Sequence, residues 1–214
     1  MCTIARVEEV TQLPRGRHRL TREEVLASQR GRMLEAMAHA VLEKGYVRAT
    51  VADVLSRARV SRETFYEHFD DKEDCFLAAY ELAVEALYER VAGAVPTRSV
   101  RPLTRLRRSL GAYLDVLAEE GALARVFLVD VYAAGPRALV RRREVMDRFV
   151  EMIAALLEAR TAEERFAVEA FVGAISSLVT VRVAVGEYEQ LPELLDPILG
   201  LAPRFMPALE RRSA

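Results

Sequence analysis

The chain has 214 residues, 51% of them hydrophobic and 29% charged, with a net charge of −1. This composition excludes a disordered or collagen-like protein, and a chain of this length can bury a core without disulfides or a metal. Apolar runs stay short of the roughly 20 residues of a membrane span, and the N-terminus lacks the pattern of a secretory signal. Because its only cysteines are Cys2 and Cys75, we expect a cytoplasmic protein without a membrane anchor, a cofactor or a metal site.

Positive charge is concentrated near the N-terminus. Residues 11–62 contain eleven Lys or Arg against five Asp or Glu, whereas the remainder of the chain is acidic. A basic segment on a nearly neutral protein favours a module that binds a polyanion such as nucleic acid. Arg15, Arg17 and Arg19 lie within residues 1–20, which we expect to form a flexible basic arm. Such an arm either enters a minor groove or remains a solvated tail.

Helix-start signals recur along the chain, and strand signals are almost absent. A threonine followed three residues later by an acid satisfies the free amides at a helix N-terminus, and this pattern occurs at Thr21, Thr50 and Thr161. Gly45 suits the left-handed turn that ends a first long helix. In the N-terminal part the predicted helices are 22–44, 51–58, a short one that Ser61 caps, and 71–94.

The second half of the chain also has the apolar spacing of helices. Pro136 suits a first helical position, and Pro197 is expected to kink the last helix. Residues 123–132 are rich in β-branched side chains, so a helix is least favoured there. Together the signals predict an all-α protein of about nine helices. The predicted helices of this half are 103–119, 123–132, 136–160, 161–186 and 192–202.

Residues 51–69 have the pattern of a helix-turn-helix, in which two short helices are joined by a tight turn. The second helix of such a unit enters the major groove of DNA, and side chains near its N-terminus read the base edges. Here those side chains are Arg62 and Thr64. Apolar residues such as Val54 and Phe65 would hold both helices against the first helix of the chain. The outer face is then left to Arg62, Thr64, Tyr66 and His68.

Short motifs between residues 45 and 73 occur in an order and spacing typical of one protein family. They are Gly45-Tyr46, Ala49-Thr50-Val51, Asp53-Val54, Ala58, Val60-Ser61, Thr64-Phe65-Tyr66, His68-Phe69 and Lys72-Glu73. Through these motifs, residues 21–80 resemble the tetracycline-repressor (TetR) family of bacterial transcription regulators. The resemblance implies an N-terminal three-helix domain with a helix-turn-helix, followed by a helical domain for ligand binding and dimerisation.

The resemblance also implies DNA contacts for individual residues, with Arg62 and Thr64 facing bases. Lys72 has an independent argument, because a cation in the first turn of a helix opposes the macrodipole unless it serves an anion such as a phosphate. The alternative is a solvated lysine that its acidic neighbours neutralise. The residues that the resemblance places at phosphates are Thr50, Tyr66, His68 and Lys72.

Two residues depart from the family pattern. Leu55 stands where the family usually has alanine, and Arg59 stands where the turn usually has glycine. An arginine at this point either adopts a positive φ, at a cost of about 1 kcal/mol, or alters the turn.

Aromatic and sulfur side chains lie on the apolar faces of the second half. As core residues they need no further explanation, but the resemblance implies that this half encloses a cavity for a small-molecule effector. The run Arg141-Arg142-Arg143 is either a solvated face or a site for an anionic ligand or partner. The candidate cavity residues are Tyr113, Phe127, Tyr132, Phe149, Met152 and Phe171.

The family dimerises through its last two helices. By that resemblance we expect a homodimer that joins the helix 161–186 to the segment 192–202. Small residues such as Gly173 and Ala174 permit close approach of helices there.

The predicted function is binding, because the sequence lacks the motifs of nucleophile elbows, Walker loops, dinucleotide sites and zinc proteases. We expect a homodimeric repressor that leaves a near-palindromic double-stranded DNA operator when a small molecule binds. The alternative is a DNA-binding protein that answers to a protein partner or acts as an activator. The predicted divisions are the arm 1–20, a DNA-binding domain 21–70, a connecting helix 71–94 and a ligand-binding and dimerisation domain 95–214.

Overall fold

The structure, a computed structural model, describes residues 21–95 and 101–205. Those residues form α-helices and two short 3₁₀ segments, with no strand among them, so the predicted all-α fold is confirmed. The predicted basic arm 1–20 lies outside the described residues. The helices are α1 Arg22–Lys44, α2 Val51–Ala58, α3 Arg62–His68, α4 Lys72–Gly93, α5 Pro102–Glu119, α6 Gly121–Leu128, α7 Pro136–Leu157, α8 Ala162–Val185 and α9 Leu195–Phe205.

Local capping interactions fix several helix starts where the sequence predicts them. Thr21, Thr50 and Thr161 each cap a helix, and in each case the acid three residues on bonds back to the threonine amide. Each capping box satisfies backbone donors that a helix N-terminus leaves free. α1 ends before Gly45, whose φ of 75° is unfavourable for a residue with a side chain.

The predicted helix over 123–132 is only partly correct. α6 ends at Leu128, and Asp130–Ala133 follows as a 3₁₀ segment, in the β-branched stretch where a helix was least favoured. α6 begins early, at Gly121, where a Cβ would lie 2.6 Å from the ring of Tyr188. Glycine therefore permits this close approach between the start of α6 and a later segment of the chain.

The end of α7 and the last predicted helix also differ from the structure. α7 ends at Leu157 instead of 160, because Glu158 adopts a left-handed φ of 58°. A single last helix over 192–202 was wrong: Tyr188–Leu194 is a 3₁₀ segment, and α9 begins at Leu195. Pro197 falls in the first turn of α9, where a missing N–H removes no intrahelical bond.

Two hydrophobic clusters form the core. The first gathers α1 to α4 and also takes in α6, the 3₁₀ segment that follows it and the start of α7, through Phe127, Val131 and Ala138 respectively. The second gathers α5, α7, α8 and α9 around residues such as Leu114 and Phe171. The packing thus crosses the predicted domain boundaries, because part of the C-terminal half completes the core of the N-terminal helices.

Candidate DNA-binding surface and ligand cavity

Residues 50–69 form two short helices joined by a tight turn, as the sequence predicts. α2 ends at Ala58, and Ser61 caps α3 by accepting the Thr64 amide N–H at 3.0 Å. Arg59 lies between them with φ 55° and ψ 49°, and its N–H donates to the Leu55 carbonyl. Arg59 therefore adopts the positive φ, at a cost of about 1 kcal/mol, and the turn is not altered.

α3 is held in place by a cluster of aromatic rings. Phe65 is fully buried, and its ring centroid lies 5.3 Å from that of Tyr66 and 5.5 Å from that of Phe69. The guanidinium of Arg30 on α1 lies 5.0 Å from the centroid of the Phe69 ring. Buried Val54 belongs to the same cluster from α2. These contacts fix the orientation of α3 and leave its opposite side exposed.

The predicted base-reading and phosphate-binding residues differ in their exposure. Arg62 and Tyr66 are exposed, so both can reach a ligand. Thr64 is half-buried, and its hydroxyl lies 2.9 Å from that of Ser61. Thr50 is exposed, but its hydroxyl donates to the Asp53 carboxylate at 2.8 Å as part of the α2 cap. Among the predicted contact residues of α3, the groups that are most accessible are therefore the Arg62 guanidinium and the Tyr66 phenol.

His68 is less accessible than the sequence suggested. Its side chain is half-buried, and its Nε2 atom is buried without a hydrogen-bond partner. Burial, with the nearby charge of Arg30, lowers the pKa of the imidazole and favours its neutral form. A phosphate contact at His68 stays a prediction, and it would have to use the other ring nitrogen.

Lys72 is engaged with the protein itself. Its Nζ donates to the backbone carbonyls of Tyr46 at 3.0 Å and Ala49 at 3.1 Å, and lies 4.1 Å from the Tyr46 ring centroid. Burial lowers the pKa of this ammonium. The alternative of a lysine solvated beside acids is wrong, because carbonyl oxygens and a ring surround the charge. An ammonium has three donors, so one remains for a phosphate.

A cavity of about 90 Å³ lies between α4, α5, α6, α7 and α8. This is well above the roughly 15 Å³ that a single water needs. Its lining is almost wholly apolar. Five of the six predicted residues line it, namely Tyr113, Phe127, Phe149, Met152 and Phe171.

Tyr132 was predicted with these residues, but it lies outside the cavity. Its side chain is 53% exposed, and its ring contacts the Arg142 guanidinium at 4.8 Å from the centroid. The prediction was wrong because it extended one helical face through residue 132, whereas α6 ends at Leu128 and a 3₁₀ segment follows.

Polar residues in the cavity wall were missed by the sequence reasoning, which followed apolar faces only. Arg142 on α7 lines the cavity and donates to the Ser176 hydroxyl at 3.1 Å. Ser109 on α5 also lines it. The available signal was the Arg141-Arg142-Arg143 run, because successive side chains of a helix point about 100° apart and can therefore face different surroundings.

α8 presents a second, apolar face away from the core. Residues 170–181 contain no charged residue, although the helix buries only one side against the second cluster. α8 is the one helix in the described ranges whose length and composition would also suit a membrane span, and 39% of its most apolar window is buried. A core or interface helix has the same composition. The large exposed side chains on α8 and α9 are Phe166, Leu178, Val181, Val185, Leu201 and Phe205.

Ion pairs connect α7 to α4, the helix that follows the two short helices α2 and α3. Arg137 lies 3.6 Å from Asp71 and Asp74 and 3.8 Å from Glu73 at the start of α4. Further along, Arg148 pairs with Glu85 at 2.8 Å, and Arg141 pairs with Glu81. Exposed pairs of this kind each contribute little to stability. They do align α7, a wall of the cavity, along α4.

A short exposed helix on a buried aromatic cluster, preceded by a capped helix and a tight turn, defines a helix-turn-helix DNA-binding protein. Residues 34–79 match the family model described as bacterial regulatory proteins, tetR family. Over these residues the chain is therefore similar to the DNA-binding domain of TetR-family transcription regulators.

Curated relatives support this assignment over part of the chain. HTH-type transcriptional activator FasR from Mycolicibacterium smegmatis is 28% identical over 120 residues, which are 56% of this chain and 52% of FasR. HTH-type transcriptional repressor DhaR from Mycobacterium sp. is 27% identical over 124 residues, which are 58% of this chain and 61% of DhaR. The chain thus spans between half and two thirds of the length of these two relatives.

Solved structures share the fold over most of the chain. The fatty acid degradation regulator FadR from Bacillus halodurans has a TM-score of 0.70 at 19% identity, over 81% of this chain and 94% of that one. FadR from Bacillus subtilis, solved in complex with stearoyl-CoA, has a TM-score of 0.70 at 19% identity, over 80% of this chain and 96% of that one. At this identity the likeness concerns the fold alone.

Proposed function

We propose that this chain is a cytoplasmic homodimeric regulator that binds a near-palindromic DNA operator and leaves it when a small molecule enters the C-terminal cavity. The observation that carries the proposal is α3, a rigidly held helix whose exposed side presents Arg62 and Tyr66. The chemistry is binding, without catalysis. In a two-fold dimer, the two reading helices would occupy successive major grooves roughly 34 to 36 Å apart.

The exposed face of α8 supports the dimer. Leu178 and Val181 lie one helical turn apart and are both exposed, with small residues such as Gly173 and Ser177 beside them. An extended apolar face on a monomer marks an interaction surface. Two copies that pack this face isologously, with α9 at its side, would cover it.

The ligand-release step is supported by the position of the cavity. α7 forms one wall of the cavity and is ion-paired along α4, which starts directly after the helix-turn-helix. A ligand that prefers one placement of α7 would therefore also bias the placement of α4 and of the two reading helices. FadR from Bacillus subtilis, which shares this fold, was solved in complex with stearoyl-CoA. We propose that an effector with a hydrocarbon body occupies the cavity of this chain.

Activation, with or without a protein partner, is the second candidate. FasR is named an activator and DhaR a repressor, and their identities to this chain differ by one percentage point. DNA binding and dimer formation are proposed in the same form whether the protein activates or represses transcription. Repression with release by a ligand is the version we propose.

Selection of bound sequences from random duplexes tests the proposal. We expect an inverted repeat whose half-sites are centred roughly one helical turn apart. A recovered motif without two-fold symmetry, or recovery of no motif at low salt, would contradict it. Adding a ligand found by thermal shift should then release the selected duplex, because a ligand can move the equilibrium only by its difference in affinity for the two states.

Replacement of Lys72 by methionine tests its proposed phosphate contact. We expect Lys72→Met to weaken binding to all duplexes alike, and to reduce the slope of log affinity against log salt by about one. Lys44→Met is the matched control, because Lys44 is the only other lysine and its Nζ is paired with Asp53. If Lys72→Met lowers the melting temperature but leaves the salt slope unchanged, Lys72 does not contact a phosphate. Its role is then only to stabilise the fold through the Tyr46 and Ala49 carbonyls.

A further inference from the structure

The five arginines of α7 differ in how their charge is balanced. Arg137, Arg141, Arg143 and Arg148 each pair with at least one carboxylate. Arg142 has no carboxylate within ion-pair distance among the described residues. It is therefore the one arginine of this helix whose positive charge no acid in the described ranges balances.

Arg142 is also the arginine that faces the apolar cavity. Its described polar contact is to the Ser176 hydroxyl at 3.1 Å, and the ring of Tyr132 lies 4.8 Å from its guanidinium carbon. A hydroxyl and a ring face stabilise a cation only modestly. A half-buried cation that lines an apolar cavity without a counter-ion is costly, so it is normally retained for an anion.

A second, independent observation concerns Ser109 on the α5 side of the cavity. Ser109 is 1% exposed, and its Oγ has no hydrogen-bond partner although it belongs to the cavity lining. A buried hydroxyl without a partner costs free energy, and such groups are rare. An occupant of the cavity that carries polar atoms would supply the missing partner.

The remaining lining sets the character of the ligand. Leu87, Leu110 and Ile153, together with Phe149 and Met152, offer only apolar surface. Burial raises the pKa of the Tyr80 phenol to about 12, so this group stays neutral and does not compete as an anion for Arg142. A fully polar ligand would leave its groups unpaired against these walls.

We propose that the effector of this cavity is a hydrophobic monocarboxylate, whose carboxylate binds Arg142 and accepts from the Ser176 and Ser109 hydroxyls, and whose hydrocarbon body fills the apolar part. This inference rests on the proposed ligand-binding function and names its ligand class. A guanidinium binds a carboxylate through two parallel N–H donors. The ligand carboxylate would therefore serve as the counter-ion that Arg142 lacks among the described residues.

Thermal shift with matched pairs of ligands tests the proposal. The probes are hexanoate, octanoate, dodecanoate and hexadecanoate, each compared with the primary alcohol of the same chain length. We expect the carboxylate of at least one chain length to bind more tightly than its alcohol by roughly 10- to 100-fold, as loss of a charge-assisted hydrogen bond implies. Equal affinities would overturn the role of Arg142 but leave a ligand cavity in place.

Variants of α7 separate recognition from folding. Arg142→Met should reverse the preference, so that the alcohol binds at least as well as the carboxylate. A misfolded protein cannot give this result, because it would bind neither ligand. Arg143→Gln is the matched control, since Arg143 pairs with Asp147 and Glu169 and is not in the cavity lining, and it should keep the preference for the carboxylate.

Two other outcomes would overturn the proposal. One is a carboxylate preference that survives in Arg142→Met, which would place the anion elsewhere. The other is the absence of stabilisation by every carboxylate at every chain length. In either case the selected operator duplex still tests DNA binding independently, so failure of the ligand class and failure of the proposed function are distinguishable.

Discussion

Val181→Arg is expected to break the proposed dimer into monomers and to abolish tight operator binding. Val181 is 60% exposed in the single chain and lies in the uncharged stretch of α8. A charge buried in an interface without a partner costs roughly 3 to 5 kcal/mol, and a two-fold interface buries it twice. Sedimentation equilibrium measures the loss of the dimer directly.

Loss of the dimer should also weaken DNA binding, because the dimer joins two reading helices that bind the same duplex. Joining two binding modules typically raises affinity by roughly 100- to 10,000-fold, so a monomer should lose a factor in this range on the selected duplex. Val140→Arg on α7 is the matched control, because Val140 is 62% exposed and lies outside the proposed interface. A Val181→Arg protein that remains dimeric would show that α8 is not the dimer face.

Phe65→Ala is expected to destabilise the DNA-reading unit by roughly 3 to 5 kcal/mol, since truncation of a fully buried phenylalanine leaves a cavity. Phe65 is 0% exposed, and its ring contacts those of Tyr66 and Phe69. Because it holds α3 in place, DNA binding should fall with stability. Urea denaturation followed by circular dichroism, with the midpoint compared to the parent protein, measures the loss.

Tyr66→Ala separates packing from DNA contact on the same helix. Tyr66 is 49% exposed, so its removal should cost much less stability than removal of Phe65 while still weakening DNA binding. If Phe65→Ala unfolds at the same denaturant concentration as Tyr66→Ala, the aromatic cluster does not determine the stability of this unit.

The parts of the fold that local chemistry determines could be predicted from the sequence. The ends of α1 and α2 were predicted to the residue, because capping boxes at Thr21 and Thr50 and the turn at Gly45 act over a few positions. The stretch after Leu128 and the start of α9 were not predicted correctly. Each contains a 3₁₀ segment with a fully buried residue, Val131 or Leu191, whose packing against distant residues no local pattern shows.

The same distinction applies to the site residues. The exposed position of Arg62 follows from its place in a short amphipathic helix, and the sequence was sufficient for it. The partners of Lys72 lie 26 and 23 residues earlier in the chain, so no local pattern could reveal them. Arg142 is one of three consecutive arginines that the sequence alone does not distinguish. Only the fold shows which of them faces the cavity.

The central claim, that α3 reads bases through Arg62 in each half of a dimer, is tested most directly by comparing the sequences selected by the parent protein and by Arg62→Ala. We expect the same inverted repeat from both, with preference relaxed at one symmetric pair of positions and roughly 1 to 3 kcal/mol lost at each. Identical base preferences at every position would show that Arg62 contacts no base and would contradict the account.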